Sequence, residues 1–485
     1  MIIYVLGTVF KLEGFFLLIP VLCSLLYREQ EGLPFLITGV ISLGIGFLAS
    51  FRKPDNHAFF LREGCVTTAL SWILLSVVGS VPFVLTGEIP SFLNALFETV
   101  SGFTTTGASI LTDVESMSHT ALLWRSFTHW IGGMGVLVFL LAVIPLTGGG
   151  TINLMRAESP GPSVGKLVPK VKSTARILYL IYFGMTVTEI VLLLLAGMPV
   201  FDAFTLSFGT AGTGGFGVLN SSIGGYTPLM QWIITIFMIL FGVNFNAYYF
   251  ILFYHFKKAL EMEEVRWYLG IIAASAAAIF FNIRHLYGSV FEALTHAAFQ
   301  VGSIITTTGY STTDFDLWPT FSKVILVLLM FIGACAGSTG GGFKVSRLVI
   351  LCKTLKKEII SYIHPKSIVK IKMDGAPIEH DVLRSTNVYF ITFILIFSGS
   401  VLLVSLENQD LVTTFTAVAA TFNNIGPGLS MVGPTQNFGH FGVFTKYVLM
   451  FDMLAGRLEL FPLLIFFHPG IWKQAFVERR FRRRV

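Results

Sequence analysis

Four times along the chain, an apolar segment too short to cross a bilayer runs into small, hydroxyl or amide residues and then a glycine. The copies are ALFETVSGFTTTGA from Ala95 to Ala108, AFTLSFGTAGTGG from Ala203 to Gly215, AAFQVGSIITTTGY from Ala297 to Tyr310, and TFTAVAATFNNIGP from Thr414 to Pro427. With Gly107, Gly214, Gly309 and Gly426 taken as equivalent, the unit recurs about every hundred residues, too long for a solenoid repeat of about 20–50. Such a unit suits an internally duplicated membrane protein, whose substrate site lies where the repeats meet.

The chain is 54% hydrophobic and 12% charged, about half the charge of a soluble domain, so it belongs in a bilayer. Ile2–Val21 lacks the basic start and cleavage site of a signal peptide and is followed at once by Leu33–Phe51, so both read as retained spans. Further apolar runs lie at Cys65–Leu85, Ala121–Leu146, Ile177–Ala196, Met230–Tyr254, Tyr268–Ile283, Val324–Ile350 (broken by glycines), Val388–Leu406 and Val443–Phe467. Most reach the ~20 residues that a crossing needs.

The expected fold is therefore all-α, with ten transmembrane helices and the four short segments as re-entrant half-helices. Residues 1–52 form an extra helix pair. Residues 60–150, 171–258, 264–355 and 384–470 form four pseudo-symmetric repeats of helix, pore loop and helix, and 471–485 form a basic tail. Backbone that leaves a helix at membrane depth must be covered by protein or line a wet cavity, and a central pore satisfies this. Cys23, Cys65, Cys335 and Cys352 show no metal-ligand spacing and read as small core residues.

Basic residues gather in every second connection: Arg52, Lys53 and Arg62; Arg156, Lys166, Lys170, Lys172 and Arg176; Lys257, Lys258 and Arg266; and Lys353, Lys356, Lys357, Lys366, Lys370, Lys372 and Arg384. The tail adds Lys473, Arg479, Arg480, Arg482, Arg483 and Arg484. By the positive-inside rule these face the cytoplasm, with both termini, and the short segments enter from outside. The clusters report topology, not nucleic acid binding. Asp113, Glu115, Asp314, Asp316, Glu407 and Asp410 lie near the four returns, either as a cation-focusing mouth or as ordinary solvated loop charges.

In each return the glycine admits backbone dihedrals closed to other residues, so successive carbonyls can turn inward. Four such strands about one axis would present rings of carbonyl oxygens that replace the hydration shell of a monovalent cation. The half-helices would add the negative ends of their dipoles. Enzyme readings fare worse. GSTGGGFKVS lacks the Gly-Lys-Ser/Thr of a phosphate-binding loop, and an intramembrane peptidase using Ser338 with His129 or His296 has no placed base or orienter. The competing transport reading is a coupled carrier in which Glu189, Asp202 or Glu98 carries protons; Asp202 can instead serve as an N-cap.

TTTGA from Thr104, GGF from Gly214, TTTGY from Thr306 and NNIGPG from Asn423 resemble the filter loops of the Trk/Ktr potassium transporter superfamily. GACAGSTGGGFK from Gly333 to Lys344 and GRLE from Gly456 to Glu459 extend the resemblance over essentially the whole chain, and the additional N-terminal helix pair resembles the Trk branch. The resemblance implies potassium coordination by backbone carbonyls of Thr105, Thr106, Gly212, Thr213, Thr307, Thr308, Asn424 and Ile425, in loops shaped by Gly107, Gly214, Gly309 and Gly426. In the family a serine at the first glycine accompanies sodium transport, so Gly107 implies potassium. K⁺ is then the transported ligand, with no cofactor. The resemblance further implies a bacterial inner-membrane homodimer, each chain with its own pore, docked on a cytoplasmic nucleotide-binding subunit of the TrkA or KtrA type. The basic connections Thr147–Arg176 and Lys353–Arg384 offer that docking face, or else contact anionic membrane lipid.

Two features belong below the filter. The glycines of Gly333–Gly342 each cost about 1 kcal/mol in a helix, so Val324–Ile350 is expected to open there. Arg457, half way along Val443–Phe467, must find partners in the bilayer. Glu459 and Asp452 are badly spaced to meet it, so the expected partners are carbonyls of the opened stretch, unless a carboxylate on another helix takes it for packing. Gly333, Ala336, Gly337, Ser338, Thr339, Gly340, Gly341, Gly342 and Arg457 are thus expected to form a gate, a role the resemblance also implies.

Overall fold

The computed structural model describes residues 1–52, 61–133, 135, 171–366 and 369–470. Lys53, Arg156, Lys166, Lys170, the end of the first repeat and the tail from 471 lie outside the described residues, as does most of the Thr147–Arg176 connection.

α1 (Ile2–Phe16) runs almost directly into α2 (Leu18–Tyr27), and α3 (Gly32–Ala49) returns beside α1. The two backbones approach closely because small residues face each other: a β-carbon on Gly46 would stand 2.7 Å from the Gly7 carbonyl oxygen. In a bilayer such small-residue contacts drive helix association.

Then the chain repeats a plan of long helix, short helix and return helix. α4 (Leu61–Thr86), α5 (Phe92–Phe103) and α6 (His119–Gly133) come first, followed by α7 (Val171–Leu195), α8 (Val200–Gly212), and α9 (Pro228–Phe241) with α10 (Phe245–Leu252). After the short α11 (Phe256–Glu261) come α12 (Glu263–Ile283), α13 (Val290–Ile305), and α14 (Thr320–Met330) with α15 (Val345–Ile363). The hairpin β1 (Lys372–Met373) and β2 (Ala376–Pro377) precedes α16 (His380–Val404), α17 (Leu411–Phe422), and α18 (Val443–Arg457) with α19 (Phe461–Phe467). Each short helix packs on its neighbours in sequence. At 1.5 Å per residue α5, α8, α13 and α17 reach about 18–24 Å, less than the ~30 Å hydrocarbon thickness, and their C-terminal halves are buried.

Among the described residues six helices are long and apolar enough to cross a membrane, or seven if the bent pair α9–α10 is one span. The exposed faces of α12 and α16 are apolar, with Trp267, Phe281, Ile391 and Leu395 turned outward, as hydrocarbon solvent requires. The molecule is a helical membrane protein.

Several expectations change. Met230–Tyr254 is not one helix: it bends by 93° at Gly242–Asn244, where the Asn244 side chain caps α10 by accepting from the Asn246 amide at 2.9 Å. Val443–Phe467 also breaks, with Glu459 and Leu460 at φ of 62° and 60°, because Pro462 opens α19 and cannot sit inside a continuous helix. Arg457 therefore ends a helix instead of occupying its middle. The chain is not wholly α: Asp374 and Gly375, both at positive φ, make the Asp-Gly hairpin turn between β1 and β2. Cys352 is exposed, unlike the other three cysteines. Asp202 lies in the first turn of α8 but is not its cap, which is Pro199.

Candidate functional site

α5, α8, α13 and α17 end alike. The residue one or two beyond each helix takes a left-handed conformation: Thr105, Thr213, Thr307 and Asn424 have φ of 55°, 53°, 59° and 55°. For a β-branched threonine this costs about 1–3 kcal/mol. The following amide repays part of it by reaching back five residues, at 2.8 Å in every case: Thr106 to Ser101, Gly214 to Gly209, Thr308 to Ser303 and Ile425 to Ala420. These are the long bonds of a Schellman cap.

Two residues after each left-handed position comes a glycine at positive φ: Gly107, Gly215, Gly309 and Gly426 at 77°, 80°, 85° and 100°. A β-carbon on Gly107 would stand 2.0 Å from the Gly214 carbonyl oxygen, one on Gly215 2.0 Å from that of Thr308, and one on Gly309 2.0 Å from that of Ile425. On Gly426 it would meet the Thr106 oxygen at 2.8 Å. The four loops therefore close a cycle, each glycine against the next loop's carbonyl, with equivalent residues at one level. This register corrects the second loop. Its shaping glycine is Gly215, not Gly214, and the residues equivalent to Thr105 and Thr106 are Thr213 and Gly214, while Gly212 is still the last residue of α8.

Side chains brace the ring. Asn424 Nδ2 donates to Thr106 Oγ1 at 2.9 Å and to the Met453 carbonyl at 2.8 Å, tying the fourth loop to the first. Thr104 and Thr306 hydroxyls pair with those of Thr106 and Thr308 at 2.8 and 2.7 Å. His129 pairs with the Gly102 carbonyl through Nδ1 at 2.7 Å and accepts the Phe216 amide at 3.3 Å. Glu98 and Arg125 form an ion pair of 2.6 Å at 0% and 4% exposure. Glu98 also accepts from Ser109 and the Ile110 amide after the first loop, and Arg125 donates to the Gly217 carbonyl after the second. Sequence spacing does not mark His129 and Arg125 as braces, because each joins α5 of its own repeat to the backbone after the second loop.

At the ring's helix-end side lies the stretch between α14 and α15, opened at its glycines. The Gly341 amide donates to Thr307 Oγ1 at 2.8 Å, and β-carbons on Gly340 and Gly341 would meet the Thr306 carbonyl oxygen at 2.9 Å and the Asn424 side chain at 2.7 Å. Arg457 Nη1 donates to the Thr339 carbonyl at 2.7 Å, and Nη2 to the carbonyls of Gly132 and Gly133 at 2.5 and 2.7 Å. Among its partners are thus one carbonyl of the opened stretch, that of Thr339, and two at the end of α6. Glu459 pairs with Arg347 and Asp452 with Ser400, so neither carboxylate neighbour serves Arg457. The segment brings Gly340 and Gly341 to the ring, while Thr339 donates through its hydroxyl to the Phe241 carbonyl at 3.2 Å. Gly333 and Gly342 face each other in its neck, Gly342 also lying beside the Asn423 carbonyl, and Ala336 begins its tip. Lys344, buried at 1% exposure, donates to the carbonyls of Gly340 and Gly341.

Four helix C-termini, each a partial negative charge, thus converge on a carbonyl-rich ring inside a membrane protein, an arrangement that defines a cation-transport protein. The chain belongs to the TrkH family, described as cation transport protein, whose model matches residues 32–474. It is 36% identical to the Trk system potassium uptake protein TrkH of Salmonella typhimurium over 94% of this chain and 96% of that one. It is 34% identical to TrkG of Escherichia coli over 94% of each. The crystal structure of the potassium transporter TrkH from Vibrio parahaemolyticus superposes with a TM-score of 0.87 at 34% identity, covering 97% of this chain and 99% of that one. This is a transport family, not an enzyme family.

Proposed function

We propose that the chain takes up potassium through a gated, K⁺-selective pore along the ring's axis, as the translocating subunit of a Trk-type system. The closed cycle of glycine against carbonyl is the observation that carries this. It sets the carbonyls of Thr106, Gly214, Thr308 and Ile425 at one level, and in this reading they act with those of Thr105, Thr213, Thr307 and Asn424 to replace the water around a dehydrated cation. Ten crossings with four re-entrant helices follow if α6, the broken pairs α9–α10, α14–α15 and α18–α19, and the six long helices each cross once. Both termini and the basic connections then face the cytoplasm of a bacterial inner membrane. The relatives' names speak of a Trk system, which supports a cytoplasmic nucleotide-binding partner of the TrkA type for a homodimer in contact with membrane lipid.

The segment Gly333–Gly342 with Arg457 is the gate: Gly340 and Gly341 obstruct the path below Thr307 and Asn424, and the guanidinium repels K⁺. Cation flux into liposomes holding only this chain tests both parts. Preferential K⁺ over Na⁺ is expected; equal passage of Li⁺, Na⁺ and K⁺ rejects the filter. Arg457→Ala, or deletion of Ala336–Gly341, is expected to raise K⁺ flux, and unchanged flux from folded variants rejects the gate. A coupled carrier has less to work with: Glu98 is consumed by Arg125 and Asp202 accepts the Tyr226 hydroxyl at 2.9 Å, leaving the fully buried Glu189. Current reversing at the K⁺ equilibrium potential irrespective of a pH gradient rejects it.

A further inference from the structure

The stretch between α14 and α15 is irregular backbone within a membrane protein, and its amides need acceptors. One side chain supplies two of them. Glu264, in the first turn of α12, accepts through Oε1 from the Ala336 amide at 2.6 Å and the Ser346 amide at 3.1 Å. Ala336 enters the segment's tip and Ser346 stands just past its exit, and the Val345 amide donates to the Ala334 carbonyl at 3.1 Å between them. The carboxylate therefore staples the two strands of the neck. Charge-assisted bonds of this kind are about twice as strong as neutral ones.

The staple is anchored on both sides. Asn244 Nδ2 donates to Glu264 Oε2 at 3.3 Å, and the Gly337 carbonyl accepts from Phe245 at 3.1 Å, so the neck is seated on the break between α9 and α10. The preceding residue faces the hairpin. The Glu263 amide donates to Asp374 Oδ1 at 2.6 Å, its carboxylate accepts from Lys353 Nζ at 2.5 Å, and Lys353 also donates to the Lys372 carbonyl at 2.6 Å. Adjacent residues thus connect the β1–β2 hairpin to the neck.

We propose that Glu264 is a positioning residue that latches the Gly333–Lys344 segment against the ring, and that the β1–β2 hairpin is the lever that releases it. Displacing the hairpin draws on Glu263, takes Glu264 off Ala336 and Ser346, and frees the tip from Thr307 and Arg457. This rests on the gate reading above.

The test compares K⁺ and Na⁺ flux in liposomes holding the full chain, its Glu264→Gln, Glu264→Ala and Asp374→Ala variants, and Arg457→Ala as reference. Loss of the latch is expected to raise K⁺ flux about fivefold or more, most in Glu264→Ala, with the K⁺/Na⁺ ratio unchanged because the ring is untouched. Asp374→Ala, remote from ring and segment, is expected to move flux the same way by less. A second readout separates release from general loosening: Ser338→Cys, in a background whose four cysteines are serine, is expected to react faster with a membrane-impermeant thiol reagent once Glu264 is replaced. If Arg457→Ala raises flux while folded Glu264 variants conduct and label at the parental rate, the latch falls and the gate stands. If none raises flux, both fall. Should Glu264→Ala fail to insert, Glu264→Gln and Asp374→Ala decide the matter alone.

Discussion

Gly215 of the second loop lies against the Thr308 carbonyl of the third, 2.0 Å from where a β-carbon would stand, at a φ of 80°. Gly214, its neighbour, faces a side chain instead: a β-carbon there would meet the His129 ring at 2.2 Å. The two glycines are thus required for different reasons. Gly215→Ala and Gly214→Ala are both expected to abolish selective K⁺ flux. Adding His129→Ala should partly restore Gly214→Ala, because the obstructing ring is gone, and should not restore Gly215→Ala, whose obstacle is backbone. Equal rescue of both would contradict the register.

The Glu98–Arg125 pair is buried at 0% and 4% exposure, so removing one partner strands the other charge. Glu98→Gln or Arg125→Met is expected to destabilise the protein by about 3–5 kcal/mol, read as a lowered melting temperature in detergent. The double variant should lose less than the two singles together. A Glu98→Gln protein of parental stability whose flux had lost its pH dependence would instead make Glu98 a proton carrier.

Asp410 caps α17 by accepting from the Thr413 amide at 3.0 Å and from the Thr413 hydroxyl. The hydroxyl first, then the amide, holds its carboxyl below the ordinary value of 3.8. A depressed carboxylate pKa contributes stability that is present above 3.8 and is lost as pH falls through the lower folded value. The melting temperature should therefore drop between pH 5 and pH 3 by less in Asp410→Asn than in the parent. Identical drops would show that the cap is not the acid-sensitive contact.

Local chemistry made much of this molecule legible. Apolar run length placed the chain in a bilayer, and the glycines of Gly333–Gly342 announced a broken helix because their cost is paid residue by residue. The breaks at Gly242–Asn244 and before Pro462 were also written locally, in a glycine followed by a capping asparagine and in a proline, but continuous hydropathy across both runs masked them.

What the sequence by itself determined is the set of four loops and the residue types each must hold: a helix that ends early, a polar left-handed residue and a glycine. It did not determine the register of the second loop, where Gly212, Gly214 and Gly215 offer one local pattern in several alignments. Tertiary structure alone decided among them: none of the three has room for a β-carbon, but His129 of α6 takes that space at Gly212 and Gly214, and only at Gly215 is it taken by another loop's carbonyl, that of Thr308, 93 residues further along the chain. The same holds for Arg457: its charge in an apolar run demanded partners, but whether these came from Thr339, Gly132 and Gly133 depended on which three segments the fold brought together.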